Sequence, residues 1–310
     1  MSHAPVVLPA ALTVFERGWL SSNNVLFDDG DRVSVVDTGY WLHAEQTAAL
    51  IERAAGGRPL TRIVNTHPHS DHVGGNARLR ERYPDVRIAI PAGVAAAVDA
   101  WDVEALTYAP TGQHCPRFDY DAPLHAGERL TLGGLEWQVL AAPGHDPHMV
   151  MLWCAPERVL ISADALWEHG FGAIFVEVEG ESGFAEQRAA LELIERHAPR
   201  AVIPGHGAPF ADVPAALARA HKRLDALAAD PMRNARSVIK TLLKFWLLQV
   251  RATTLAAAVD HFSPTRYFSV VQARYFAPLT VAALIEQAAR ELAATGAAKL
   301  GNEGELLNLD

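Results

Sequence analysis

Thr66-His67-Pro68-His69-Ser70-Asp71-His72-Val73-Gly74-Gly75 decides the fold of this 310-residue chain. It follows Arg62-Ile63-Val64-Asn65, a β-branched run that reads as a short strand. Pro68 fixes its own φ and has no N–H to donate, so no regular helix runs through the cluster. The cluster therefore reads as a loop at a strand end, where alternate side chains turn toward one point. Gly74-Gly75 lets the next helix begin close by. Imidazoles and a carboxylate at this spacing suit zinc, iron or another borderline transition metal. A histidine-rich surface loop is the competing reading, and chance assembly of this spacing directly after a strand argues against it.

Half of the residues are hydrophobic and 20% are charged, as in an ordinary globular protein. The length suits one large domain or one core with an appendage. A net charge of −9 argues against a nucleic-acid partner, because phosphate binding rests on Lys and Arg. Two cysteines, Cys115 and Cys154, make no disulfide framework. Cys154 lies in an apolar run and reads as buried and inert. His114-Cys115 has no ligand spacing to make a second metal site. The first residues lack a basic segment, and Pro5 and Pro9 interrupt their apolar stretch, a poor match to a signal peptide. No stretch approaches the roughly 18 apolar residues of a membrane span. These features predict a cytoplasmic protein without a membrane partner.

Strands are expected over 11–18, 23–28 and 32–37, with Asp28-Asp29-Gly30-Asp31 as a turn. Asp37 closes the third; it reads equally as a turn aspartate or as a carboxylate that orients a metal ligand. A helix over 43–55 stops at Gly56-Gly57. After Gly75 a helix runs to about Tyr83, followed by a strand over 86–90 and a helix over 92–101. Consecutive strands follow at 128–132, 135–141, 149–154 and 158–162, then a helix over 183–197, a strand over 201–203 and a helix over 213–229. Mixed strand runs and helices of this kind suit two sheets covered by helices, an α/β class. Residues 231–310 change character: helices are expected over 235–250, 253–261, 264–275 and 280–294, with a terminal hairpin turning at Gly301-Asn302. Three helices and a hairpin resemble a winged helix.

Three further segments each deliver one possible ligand from a strand end: Ala142-Pro143-Gly144-His145, Ser162-Ala163-Asp164 and Pro204-Gly205-His206-Gly207. Singly, each reads as readily as a hydrogen-bonded turn. With these segments on the page, the chain resembles the metallo-β-lactamase superfamily. His67, His69, Asp71 and His72 complete its H-x-H-x-D-H signature, and the other segments stand in its order. The resemblance covers roughly residues 11–230 and implies an αββα sandwich (residues 1–230) with a small, mainly helical, winged-helix-like C-terminal domain (231–310), as in glyoxalase II and LACTB2-like hydrolases. It also implies two divalent metal ions, zinc first, with iron or manganese as alternatives. His67, His69 and His145 would hold one, Asp71, His72 and His206 the other, and Asp164 would bridge them. One departure stands out: Gly144-His145-Asp146-Pro147-His148 is a residue shorter than the family's usual Gly-His-Thr-Pro-Gly-His. His145 keeps the ligand place, and His148 becomes a candidate substrate-facing group. Trp167, His169 and Phe171, close after Asp164, are candidate substrate contacts or loop packing.

The expected activity is metal-dependent hydrolysis of a small-molecule ester, thioester or lactone by water made acidic on the metals. Asp71 would hold metal and carry a proton. RNA phosphodiesterase activity is one alternative, for which Arg78, Arg80, Arg82 and Arg87 offer only a modest basic track. An iron-dependent persulfide dioxygenase is another, and a β-lactamase ranks below both. A regulator binding DNA through the tail is disfavoured by Glu286, Glu291, Glu303, Glu305 and Asp310. The apolar stretch Leu242–Leu248 reads as the core of the tail, which packs on the catalytic domain or forms a homodimer.

Overall fold

The computed structural model describes residues 6–309; Pro5 and Asp310, used above, lie outside them. The first sheet contains β1 (Leu12–Phe15), β2 (Asn24–Asp28), β3 (Val33–Val36), β4 (Leu60–Val64), β5 (Arg87–Pro91) and β6 (Ala122–Leu124), in that order. Its first three strands pair antiparallel and β3 to β6 pair parallel. The second sheet runs β11-β10-β9-β8-β7, from β7 (Arg129–Leu132), β8 (Leu135–Ala141), β9 (Val150–Cys154), β10 (Val159–Ala163) and β11 (Ala201–Pro204). β7 to β10 pair antiparallel and β10 with β11 parallel, so β8, β10 and β11 all point the same way.

The crossovers carry α1 (Ala44–Ala55), α2 (Ser70–Val73), α3 (Asn76–Arg82), α4 (Ala95–Ala100), α5 (Tyr108–Thr111), α6 (Val176–Glu179), α7 (Phe184–His197) and α8 (Val213–Ala229). Apolar side chains fill three layers. Val36, Val64, Phe27, Trp137, Leu152 and Ile203 lie between the sheets, where Trp137 meets Phe27 edge-on at 5.4 Å. Ile51, Leu79 and Val98 cover the outer face of the first sheet, and Leu191, Ala220 and Leu224 that of the second. The architecture is the αββα sandwich, with a helical C-terminal region. β6 was not legible in the sequence, since Pro123 argues against a strand, and it is tolerated because β6 is an edge.

The C-terminal region comprises α9 (Pro231–Val250), β12 (Ala252–Thr254), α10 (Leu255–Phe262), α11 (Arg266–Tyr275), α12 (Val281–Ala294), β13 (Ala298–Leu300) and β14 (Glu305–Asn308). The helix expected over 253–261 begins only at Leu255. Thr254 is extended, caps α10 by accepting from Ala257 N at 3.1 Å, and sits in a strand paired with β14. Leu242, Leu243 and Leu247 enter a core with Phe262, Phe268 and Ile285, and Ala173, Phe175 and Val178 of the sandwich join it. Among the described residues no helix is long and apolar enough to cross a membrane.

Candidate metal centre

Asp37 follows the C-terminal end of β3, His67 and His69 that of β4, His145 that of β8, Asp164 that of β10 and His206 that of β11. The strand directions above bring these ends to one edge of the sandwich. Backbone bonds tie the loops there: Val150 N donates to Thr66 O (2.9 Å), Ser22 N to Asp71 O (2.9 Å), Asn23 N to Gly205 O (2.7 Å) and Gly205 N to Ala163 O (2.7 Å). The signature is not a loop throughout. His69 is extended (φ −59°, ψ 145°), and α2 begins at Ser70, carrying Asp71 and His72 on a helical turn. Proline restricts the residue before it and the carbonyl four residues earlier, so the chain is free to turn helical two residues later. The glycine pair serves close approach: a Cβ on Gly74 would stand 2.4 Å from Trp41 N.

Three groups of donor atoms converge, each within 4.8 Å: His67, His69 and His145; Asp71, His72 and His206; and His67, His72 and Asp164. His145 Nε2 is 2.8 Å from His69 Nδ1, and His206 Nε2 is 3.0 Å from Asp71 Oδ2. Asp164 Oδ2 lies between the first two groups, 3.4 Å from His145 Nε2, 3.6 Å from His72 Nε2 and 3.9 Å from His206 Nε2.

The ring tautomers follow from their other contacts. His145 Nδ1 donates to Ala173 O (2.5 Å) and His72 Nδ1 to Asp37 Oδ2 (2.8 Å). Thr66 Oγ1 gives its proton to Asp37 (2.8 Å), so His67 Nδ1 donates to Thr66 Oγ1 at 3.0 Å. The Nε2 lone pairs of all three rings are left for a ligand, and those of His67 and His72 are buried without a hydrogen-bond partner. Burial, then neighbouring His72, pulls His67 far below its ordinary pKa; burial and His145 pull His69 down to about 3. Burial pushes Asp164 up, yet His72 and His206 outweigh it and hold the carboxylate well below its usual range. Burial also disfavours a charged His72, but Asp37, Asp164 and Asp71 hold its pKa well above the ordinary value. An ion would displace the proton that these carboxylates hold on His72, and imidazoles beside carboxylates with no Lys or Arg partner among the described residues are a donor set that fits divalent metal.

Residues 17–206 match the Metallo-beta-lactamase superfamily, more than half of the chain. The protein belongs to this superfamily. It is 33% identical over 119 residues to a hydroxyacylglutathione hydrolase of Rhodopseudomonas palustris, covering 38% of this chain and 39% of that protein. A hydroxyacylglutathione hydrolase of Halorhodospira halophila is 31% identical over 165 residues, 53% of this chain and 49% of the relative. The chain thus spans two-fifths to half the length of these curated relatives. In fold it is similar to a beta-lactamase domain protein from Burkholderia ambifaria, with TM-score 0.58, 22% identity and coverage of 98% and 96% of the two chains.

In this metallo-β-lactamase site the ligands rest on a supporting layer. Asp37 accepts from Thr66 N (2.9 Å) as well as Thr66 Oγ1 and His72, and it holds an uncommon φ of 57°. Of its two readings, the structure shows the orienting carboxylate. Trp167 Nε1 donates to Asp164 Oδ1 at 3.1 Å. A Cβ on Gly205 would stand 2.1 Å from that same oxygen, so only glycine admits the bridge between the half-sites. Asn23 Nδ2, unremarked in the sequence, donates to Pro204 O (2.9 Å) and Gly207 O (2.7 Å) and clamps the His206 loop. Trp19 stacks on His206 at 5.5 Å. Asp146 is buried with Oδ2 3.8 Å from His69 Nε2; it belongs to the segment where the sequence departs from the family pattern.

The centre opens into a cavity of about 450 Å³, which Trp167 and Phe171 help to line. The other two candidate contacts lie elsewhere. His148 is exposed and packs on Gly93, whose Cβ would lie 2.2 Å from its Nδ1. Asp146 Oδ1 accepts from His148 N (2.8 Å), and the tight turn this makes carries the side chain away from the cavity. His169 is 78% exposed beside Glu168, at the tip of a turn closed by Trp167 and Gly170. Cys115 and Cys154 are buried free thiols, and His114 packs edge-on to Trp41, so no second metal group forms there among the described residues. The far wall comes from the C-terminal region: Phe245 and Leu248 of α9 face the cavity while Leu243 and Leu247 enter the core. The apolar stretch 242–248 therefore serves two surfaces, where the sequence suggested one.

Proposed function

We propose that this protein is a metal-dependent hydrolase acting on an ester, thioester or lactone of a small molecule. The observation that carries this is the pair of donor groups joined at Asp164 beside a cavity of about 450 Å³ whose walls include Trp19, Trp167, Phe171, Phe175 and Phe245. His67, His69 and His145 would hold one ion and Asp71, His72 and His206 the second, with Asp164 within reach of both; zinc suits the donors best. Such ions, when bound, supply a nucleophile from water near neutral pH and polarise the acyl oxygen. The chain does the rest. Trp19, Trp167, Phe171 and Phe175 exclude bulk water and seat the acyl group. Asp71, on the cavity wall, would hold its ion and carry the proton given up by the attacking water to the leaving group. Support from relatives lies in the name hydroxyacylglutathione hydrolase, which describes hydrolysis of an acylated glutathione.

The test is metal analysis of the purified protein, with turnover of a thioester, lactone and RNA panel on the same sample. Two zinc ions per chain with hydrolysis of a thioester or lactone is expected. One iron per chain, with oxygen uptake on a thiol persulfide and no hydrolysis, would replace this reading by an oxygenase.

A further inference from the structure

Beside the cavity, α8 and α9 enclose a groove of about 610 Å³ whose walls carry Arg219, Lys222 and Arg223 from one helix and Arg233, Arg236 and Lys240 from the other. Spacings of three and four residues put each set on one helix face. Glu291 is the one acidic residue on the groove, and it pairs with Lys240 at 3.1 Å. The remaining five have no carboxylate within ion-pair distance among the described residues. Arg219 donates to Glu168 O (2.9 and 2.7 Å) and Arg223 to Phe171 O (2.8 Å), contacts that place the guanidinium groups without neutralising them. Arg236 lies 5.7 Å over the Phe276 ring. Such a concentration of positive charge in a chain of net charge −9 repels itself, and it needs an anion to be favourable. Arg223, Ser237 and Lys240 are walls of the groove and of the metal-site cavity alike. The metal end of that cavity is lined by the His and Asp donors, aromatic rings and the neutral polar Thr107, Thr111 and Gln113, and among the described residues its Lys and Arg side chains stand on the helical side.

We propose that the groove binds the phosphates of the substrate's carrier group: the substrate is a thioester whose thiol bears two or more phosphates, with the acyl group at the metals. This rests on the hydrolase reading above. Water adds to the acyl carbon, the carbon–sulfur bond breaks, and the products are a carboxylate and the phosphorylated thiol, with one proton released. Guanidinium groups in a fixed fork match phosphate oxygens, and several together select a multiply charged group over a single carboxylate. Cleavage of a polynucleotide would instead place a phosphate at the metals and need cations on both sides of them, whereas Arg223, Lys240 and Lys244 of the cavity lining all belong to the helical side.

The test compares an acyl-coenzyme A with the same acyl group on unphosphorylated pantetheine, using the metal-loaded full-length protein. The expected result is a preference of at least about tenfold in kcat/KM for the coenzyme A thioester, carried by KM. In the triple variant Lys222→Ala/Arg233→Ala/Arg236→Ala that preference collapses toward unity. Free coenzyme A should give a calorimetric binding signal in the wild type that weakens with salt and is lost in the variant. Equal kcat/KM on both thioesters with no coenzyme A binding would overturn the groove assignment and leave the hydrolase reading intact. Turnover of lactones alone would overturn the thioester assignment. Cleavage of single-stranded RNA that the triple variant loses would give the groove to a nucleic acid and overturn both.

Discussion

The two walls of the cavity are built differently. The sandwich wall consists of strand ends: each metal-ligating side chain follows a strand or rides the first turn after one, and backbone bonds of 2.7 to 2.9 Å tie the loops together. The helical wall consists of side chains that reach in from α8, α9 and the end of α12, with Phe245, Leu248 and Lys240 presented by the register of α9. The difference teaches that reaction chemistry is held by groups that cannot move without breaking the sheet edge. On the proposed function, substrate choice would rest on groups that can change without touching the metal-site residues. Substitutions in the first wall should cost metal, and substitutions in the second should cost affinity for substrate.

The largest expected effect is at the joint between the half-sites. Asp164→Ala removes the carboxylate near both groups, and Gly205→Ala forces a methyl into the 2.1 Å space beside Asp164 Oδ1. Both should abolish turnover and lower bound metal per chain while the circular dichroism spectrum stays that of the folded protein. Full metal content with full turnover in either would show that Asp164 is not a ligand. Stripping metal with a chelator should lower Tm, because ions bound only to the folded chain stabilise it by about 2.7 kcal/mol at a hundredfold excess over Kd.

Next comes the supporting layer. Asp37→Ala leaves His72 Nδ1, Thr66 N and Thr66 Oγ1 without their common acceptor. Loss of such a partner typically costs 10–100-fold in metal affinity. A competition titration with a chromogenic chelator should show a fall of about that size, larger than the fall in kcat at saturating metal.

A coupling between the walls gives a third test. Phe175 sits 5.7 Å from the His69 ring, 5.8 Å from the His145 ring and 5.6 Å from the ring of Tyr267 in the C-terminal core, while Ala173 O fixes the His145 tautomer. Phe268→Ala, fully buried in that core, should cost about 3–5 kcal/mol of stability. If residues 173–178 transmit the loss, metal affinity falls severalfold along with it; unchanged affinity would show the two walls to be independent.

These two walls also differ in how far they could be read from sequence. The ligand loops were legible because each is a local pattern, a β-branched run that ends in histidine or aspartate, and because four such patterns recur. Asp37 was half legible, since a strand-ending aspartate looks the same whether it closes a turn or orients His72. The groove was not legible at all. Nothing in the sequence singles out Arg219, Lys222 and Arg223 until α9 lies beside them, and the C-terminal region looked acidic because its last helix and terminus carry glutamates. That helix spends its charges locally, with Arg290 paired to Glu286 and Glu291 to Lys240. His148 and His169 do not line the cavity for a similar reason: proximity in sequence to a ligand does not fix which way a turn faces.

The smallest expected effect sharpens the contrast most. Phe245 belongs to α9, lines the cavity and meets Tyr40 of the sandwich edge-on at 5.3 Å, and Tyr40 in turn donates to Gln249 Oε1 at 2.8 Å. It is half-buried and touches none of the metal-ligating residues through a hydrogen bond, so Phe245→Ala removes apolar wall and one aromatic contact, worth about 0.5–1.5 kcal/mol beyond its area. Metal content should be unchanged and Tm nearly so. KM should rise by a few-fold to about tenfold for the thioester with the longest acyl chain, since roughly 0.8 kcal/mol is lost for each methylene that no longer finds cover. For an acetyl thioester the rise should vanish, because an acetyl group at the metals leaves the α9 wall untouched. If instead kcat fell equally for both acyl lengths, the helical wall would be acting on the reacting atoms, and the division of labour between strand ends and helices would not hold.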